Sequence, residues 1–244
     1  MNKARKSSQL DLGRARGEGS GMAVSVYDMD RTITRGGTWG GWLRFWLRRE
    51  APWRMIMLPL VGVAALAYGL GLIERGMLKA WVHRLLMGGR VLRYRVARVA
   101  EDYARLVVAH GCFDGALAQI ERDRSEGRRL VLATASNAYY AEAIGAALGF
   151  DAVVATPSRL DGDWLDWRLG GANNYGAEKA SRLKGVLGAD GRFYSDHHSD
   201  LPVFEMAGEA VAVNPTEPLR AVALRRGWRI LDWGVVEKSL FERA

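Results

Sequence analysis

The run Ala23-Val24-Ser25-Val26-Tyr27 leads straight into Asp28-Met29-Asp30-Arg31-Thr32, so an apolar, β-branched stretch ends in two carboxylates one residue apart. Such a stretch suits a strand covered on both faces, the kind found in the parallel sheets of α/β folds. The carboxyl edge of that sheet is where open α/β folds build their sites. There the first acid can attack an electrophile such as phosphorus, while the second protonates the leaving oxygen and later deprotonates a water. Turns rich in Asp also follow strands for local reasons, so the pair alone leaves a plain turn open.

The pattern repeats down the chain. Arg129–Ala133 reads as a second strand ending in Thr134-Ala135-Ser136-Asn137, ahead of a helix-like stretch from Ala138 to Leu148. A hydroxyl there can hold a phosphate oxygen together with backbone N–H groups at a helix start, or simply cap the helix. Lys179 opens a predicted helix that ends near Leu187 and would by itself read as a solvated surface group. Arg192–Ser195 then runs into Asp196-His197-His198-Ser199-Asp200-Leu201-Pro202, another acidic strand end. Oxygen donors of this sort suit Mg²⁺.

In this order the four pieces resemble the haloacid dehalogenase (HAD) superfamily of phosphatases and phosphotransferases, subfamily IB, in its phosphoserine phosphatase-like and phosphatidylglycerophosphatase-like branch. The resemblance implies an α/β fold: a Rossmann-like core with a central parallel sheet and an all-helical cap inserted after the first strand. It implies Asp28 as the nucleophile that becomes an aspartyl-phosphate and Asp30 as general acid and base. Thr134 and Ala135 would bind the phosphoryl group, with Lys179 as charge partner of both nucleophile and phosphate. Mg²⁺ would be held by Asp28, the backbone carbonyl of Asp30, and Asp196, with Asp200, Thr32 and Ser136 in support. Electrostatics agrees, because a dianionic ester meeting an anionic nucleophile needs a dication and an ammonium to offset the repulsion. Asp30 favours hydrolysis over phosphoryl storage, since water attack on the acyl-phosphate needs a base. Arg31, where a small residue is frequent, and the pair His197-His198 depart from the commonest pattern. Adjacent histidines on an extended segment are expected to face opposite ways, which disfavours a shared ion.

Other phosphate motifs fail. Gly171 and Gly176 have P-loop spacing, but Ala177-Glu178 follow where Lys and Ser or Thr are required. Gly36-Gly37 and Gly40-Gly41 form no dinucleotide fingerprint. Cys112 is the sole cysteine, so no internal disulfide is expected. Residues 1–22 are basic and poor in apolar groups, which predicts a disordered tail without the apolar stretch of a secretory signal. The net charge of +8 predicts attraction to anionic substrates or lipid headgroups. No helix-turn-helix, zinc-finger or RNA-binding signature appears, so specific nucleic-acid binding is not expected.

The expected layout is a core from residues 23–37 and 127–244 with a cap from 38–126. The cap reads as helical over Trp39–Arg49, Glu74–Met87, Val91–Ala109 and Phe113–Arg124, with aromatics Trp39, Trp42, Phe45, Trp46 and Trp53 crowding its start. They suit either a cap core or a membrane interface. Met55–Ile73 has no charged residue and follows Arg48, Arg49 and Arg54. As a helix it would extend about 28 Å, close to a bilayer core. A single crossing would separate Asp28 from Lys179 and Asp196, so a buried cap helix or a surface-lying, broken membrane segment is expected instead, with Pro59, Gly62, Gly69 and Gly71 as break points. The expected substrate is a phosphorylated small molecule or lipid. A lipid or amphiphilic phosphate is preferred, with peripheral contact to an anionic membrane from the cytoplasmic side. Phosphoserine is the alternative, for whose ammonium Glu50 and Glu74 are the visible partners. A catalytically dead anion-binding module is disfavoured because every residue the chemistry requires is present.

Overall fold

In the computed structural model, which describes residues 22–234, Val24–Tyr27 (β1) lies at the centre of a six-stranded parallel sheet. The expected basic tail lies outside the described residues apart from Met22. On one side of β1 come Arg129–Asn137 (β3) and Ala152–Thr156 (β4). On the other come Arg192–Ser195 (β7), Glu209–Val213 (β8) and Arg229–Leu231 (β9). Tyr27 is level with Leu132 and Tyr194, so Asp28 and Asp196, which follow β1 and β7, and Thr134, inside β3, lie at the same edge within about a residue of one another. The chain departs from β1 to one side and returns to the other, which makes this edge a topological switch point.

Alternation along the strands builds two apolar layers. Tyr27, Leu130, Leu132 and Tyr194 face one cluster, shared with the inserted helices, while Val26, Val131, Ala133 and Phe193 face the other. Both faces are therefore covered, which is why the strands read as continuous apolar runs.

The insertion begins with Thr38–Glu50 (α1) and a 3₁₀ turn over Pro52–Met57, followed by Leu58–Gly69 (α2) and Arg75–Leu86 (α3). It continues through Arg93–His110 (α4) and Asp114–Ser125 (α5). It is helical except for one short strand, Arg90–Leu92 (β2), which corrects the expectation of helices alone. β2 pairs antiparallel with Trp164–Leu169 (β6), which pairs in turn with Ser158–Asp161 (β5). The second half of the chain thus lends a hairpin to the cap, so residues 127–244 are not all core. Asp161-Gly162, with Gly162 at φ 55°, was a hairpin signal legible in the sequence.

Trp42 and Trp46 are fully buried and form cap core, whereas Trp53 is exposed. Met55–Ile73 is not a buried helix: Ile56, Leu66 and Leu72 are 75%, 62% and 73% exposed, and in α2 only Val61 and Ala64 are buried. The run breaks where expected, with Pro59 in the first turn of α2 and Gly71 taking φ 72° after its end. Because β1 and β7 pair directly, the chain before and after α2 shares one sheet, and a single crossing is ruled out.

Beneath the sheet, Tyr27 stacks on Tyr194 with ring centroids 4.3 Å apart and donates to the fully buried Asp123 at 2.6 Å. Arg192 and Gln119 also donate to Asp123, at 2.8 and 3.0 Å. Burial alone would raise the Asp123 carboxyl, but hydrogen bonds from Ser25, Tyr27 and Gln119 and the charge of Arg192 hold it below its ordinary value. Its carboxylate therefore stabilises the fold at neutral pH, and that contribution is withdrawn as the pH falls through the depressed value. Asp123→Ala is expected to cost about 1–3 kcal/mol in urea denaturation, because the buried Tyr27 hydroxyl and Gln119 amide lose their acceptor while Arg192 keeps Glu126 and Glu209.

Candidate active site

Asp28 follows β1 with its amide bonded to Tyr194 O at 2.8 Å, and its buried carboxylate meets Lys179 Nζ at 2.8 Å. Lys179 opens Ala177–Leu183 (α7), a helix shorter than expected, and donates also to Asp200 Oδ2 at 2.7 Å. Ser195 Oγ supports the same Asp200 oxygen at 2.7 Å. Burial pulls the Lys179 ammonium toward neutrality, but Asp200 and Asp28 together hold it well above its ordinary value. Lys179 is therefore a fixed cation between two acids. Thr32 Oγ1 lies 3.4 Å from Asp28 Oδ2 and 3.5 Å from Asp196 Oδ1, bridging the first and third strand ends.

The second acid is held differently. Asp30 Oδ1 accepts the Thr38 N–H at 2.6 Å, in the first turn of α1, and Oδ2 accepts Ser136 Oγ at 2.9 Å. The start of the cap thus grips Asp30, a contact the sequence did not signal. Thr134 sits where β3 bulges, three residues, 134–136, opposing one residue of β4. The bulge takes these N–H groups out of the ladder, and Ser136 N is met by Thr134 Oγ1 at 3.1 Å. Asn174 Nδ2 donates to Thr134 O at 2.9 Å, and since N–H and C=O of a trans peptide point opposite ways, the Ala135 N–H is aimed away from Asn174. Of the nine residues expected at the site, Asp28, Thr32, Lys179, Asp196 and Asp200 are joined in one cluster, Asp30 and Ser136 form its flank, Thr134 is tied to Ser136, and Ala135 takes part through its backbone.

The donor set fits a hard dication. Burial pushes the Asp28 carboxyl up to about 7, with Lys179 opposing and Asp200 adding repulsion. The Asp196 carboxyl is pushed well above its ordinary value by burial and then by Asp28 and Asp200, against Arg31 and Lys179. Two buried acids that repel each other are what a cation would relieve. Among the described residues no group of three His, Cys, Asp or Glu side chains forms a cage. Mg²⁺ does not need one, because it binds through one or two carboxylates and keeps several waters.

Arg31 takes the left-handed conformation, φ 64°, and its charge bears on Asp196. His197 and His198 do not face opposite ways: their rings lie 4.3 Å apart, because the segment turns into a 3₁₀ helix at His198 instead of staying extended. His197 Nδ1 accepts the Ser199 N–H at 3.1 Å, as a helix cap. Glu50 is buried and committed to Arg95 and Arg98, and Glu74 is exposed at the start of α3.

The family profile of haloacid dehalogenase-like hydrolases matches residues 25–205, which take in both halves of the sheet edge and the insertion between them. The chain belongs to this family. Within the HAD family it is 32% identical over 164 residues to the inhibition of morphological differentiation protein of Streptomyces azureus, covering 64% of this chain and 58% of that protein. It is 29% identical over 157 residues to phosphoserine phosphatase SerB1 of Mycobacterium tuberculosis, covering 62% and 51%. The chain thus spans little more than half the length of these curated relatives. Among solved structures, a protein of unknown function from Bordetella pertussis Tohama I aligns with TM-score 0.76 at 21% identity, covering 88% of this chain and 100% of that one. A phosphoserine phosphatase carrying a phospho-aspartyl intermediate analogue aligns with TM-score 0.55 at 16% identity, covering 88% and 95%.

Proposed function

We propose that the chain hydrolyses phosphomonoesters through an aspartyl-phosphate on Asp28. The observation that carries this reading is the buried Asp28–Lys179–Asp200 array beside an independently held Asp30. Asp28 attacks phosphorus in line, and the ester oxygen leaves with a proton from Asp30. Asp30 then takes a proton from water as that water attacks the acyl-phosphate, releasing inorganic phosphate and free Asp28. Lys179 offsets charge on the phosphoryl oxygens throughout, and the Thr134 hydroxyl and Ala135 N–H orient them. Asp28, Asp196 and the Asp30 carbonyl would hold Mg²⁺, which when bound supplies charge neutralisation at the transferring phosphoryl group. Protons and the cation compete for Asp28, so apparent Mg²⁺ affinity is expected to fall as the pH drops through about 7 and to recover above it. Mg²⁺ titrations of activity at several pH values check this. Affinity independent of pH would remove Asp28 from the ligand set.

The substrate reading is a lipid or amphiphilic phosphate met at an anionic membrane surface. Its support is the exposed apolar surface of Trp53, Ile56, Leu60, Val63, Leu66, Leu70 and Leu72, much of it on α2, with the arginines Arg44, Arg48 and Arg49 exposed on α1. The segment Pro52–Gly69 is long and apolar enough to cross a membrane yet only 11% buried. Arg84 lies beside Leu60, Val63 and Ala67 on this surface, and an exposed apolar face with a cation next to it suits insertion at a headgroup boundary. Co-sedimentation with phosphatidylglycerol vesicles is expected and should weaken partly at high salt, because the headgroup attraction is screened while apolar burial persists. A small soluble ester is the second reading, favoured by the relative named as a phosphoserine phosphatase. Absence of vesicle binding together with preference for phosphoserine over lysophosphatidate would establish it in place of the lipid.

A further inference from the structure

Lys79 is a lysine of the cap helix α3, 3% exposed, whose ammonium reaches across to the core. Its Nζ donates to Ala135 O at 2.5 Å and to Asn173 Oδ1 at 2.7 Å. Thr156 Oγ1, at the end of β4, lies 2.7 Å from the same carbonyl and 3.0 Å from the same Asn173 oxygen. Asn174, fully buried, ties the next layer: its N–H donates to Thr156 Oγ1 at 3.0 Å and its Nδ2 to Thr134 O and Val154 O at 2.9 and 2.8 Å. Three segments of the chain, α3, the end of β4 and the loop 173–174, thus meet on the back of residues 134–136. The front of those residues offers the hydroxyl and N–H groups assigned above to the phosphoryl group.

We propose that Lys79 is a positioning residue through which the docked cap sets the phosphate-holding turn 134–136, an inference that rests on the phosphatase reading. The bulge has freed this turn from the β-ladder, so its peptide planes are fixed by whatever holds the carbonyls. The hydrogen bonds from Asn174 and Thr156 come from within the core. The hydrogen bond from Lys79 is made by the cap and can form only when the cap is seated. Burial, with the charge of Arg75 adding to it and Asp30 opposing, lowers the Lys79 ammonium to about 7, and protonated or neutral its Nζ keeps enough N–H groups to donate to both oxygens. Lys79 is thus suited to make phosphate affinity depend on cap docking without touching the leaving group.

The test compares wild type with Lys79→Met and Lys79→Arg, using acetyl phosphate and p-nitrophenyl phosphate as substrates and inorganic phosphate as inhibitor. Lys79→Met is expected to raise both KM values and the inhibition constant of phosphate by a common factor of about tenfold, with kcat changed by less than about threefold. Lys79→Arg should recover most of that loss, since a guanidinium can still donate to both oxygens. A lower Tm with unchanged KM would make Lys79 a packing residue only and overturn the proposal. A loss confined to p-nitrophenyl phosphate would assign Lys79 to the leaving group and overturn it equally. Should Lys79→Met fail to fold, Asn173→Ala removes the other acceptor of the ammonium, and an unchanged KM there would count against the proposal. A wild type that neither hydrolyses these esters nor binds phosphate would instead remove the phosphatase reading itself.

Discussion

Asp28→Asn is expected to abolish turnover, by about 10⁴-fold or more, while leaving the fold intact. The amide is isosteric and can still accept from Lys179 through its oxygen at the place where the carboxylate now lies 2.8 Å away, so packing around the fully buried strand end should survive. What is lost is the nucleophile, because an amide oxygen does not attack phosphorus under these conditions. One negative charge also leaves a cluster in which Asp28 and Asp196 repel each other. The variant should therefore melt no lower than wild type, and steady-state assays beside a thermal melt separate the two effects. Wild-type turnover by a sample verified free of deamidation would remove Asp28 from its role.

Asp30→Asn has a different signature, because Asp30 touches the protons of both half-reactions and not phosphorus. Loss of a general acid and base costs about 10²–10⁴-fold. With a leaving group that needs no proton, such as p-nitrophenolate, the first half-reaction should be nearly spared and the second slowed, so phosphoenzyme accumulates. A rapid-quench experiment should then give a burst of p-nitrophenol close to one per enzyme, followed by slow turnover. The introduced amide keeps an oxygen for the Thr38 N–H, which the carboxylate now accepts at 2.6 Å, so the start of α1 should stay in place. A rise in KM without a burst would assign Asp30 to substrate binding instead.

The core was legible because its chemistry lies at strand ends, and a strand buried on both faces announces itself as an apolar run that stops at polar residues. Asp28, Thr134 and Asp196 could be named in this way, and the structure brings them to one edge of the sheet, whereas Lys179, on a helix, was named only through the family resemblance. The contacts that hold them were not legible. Thr38 on Asp30 closes a loop of eight residues and Lys79 on Ala135 joins residues 56 apart, and neither has a local pattern that distinguishes it from a helix start or a surface lysine. Asn173 and Asn174 drew no expectation, because a pair of asparagines in a Gly-rich stretch carries no local signal of a buried role. The cap's small sheet went unread because Arg90–Leu92 is too short to show an alternation, although Asp161-Gly162 marked the hairpin that pairs with it. Met55–Ile73 was ambiguous for a physical reason: an apolar helix looks the same in sequence whether protein or lipid covers it. Its exposure along α2 became readable only from the fold.

Chemical mapping of the intermediate decides whether phosphorus passes through Asp28. Asp30→Asn enzyme is mixed with p-nitrophenyl phosphate and Mg²⁺, quenched in acid, treated with borohydride and digested. Reduction of an acyl-phosphate converts the aspartyl residue to homoserine, which mass spectrometry locates within the peptide containing Tyr27-Asp28-Met29. Homoserine is expected at position 28, in a yield that follows the size of the burst. A phosphoryl group found on His197, His198, Thr134 or Ser136, or a burst with no modified residue at all, would contradict passage through Asp28.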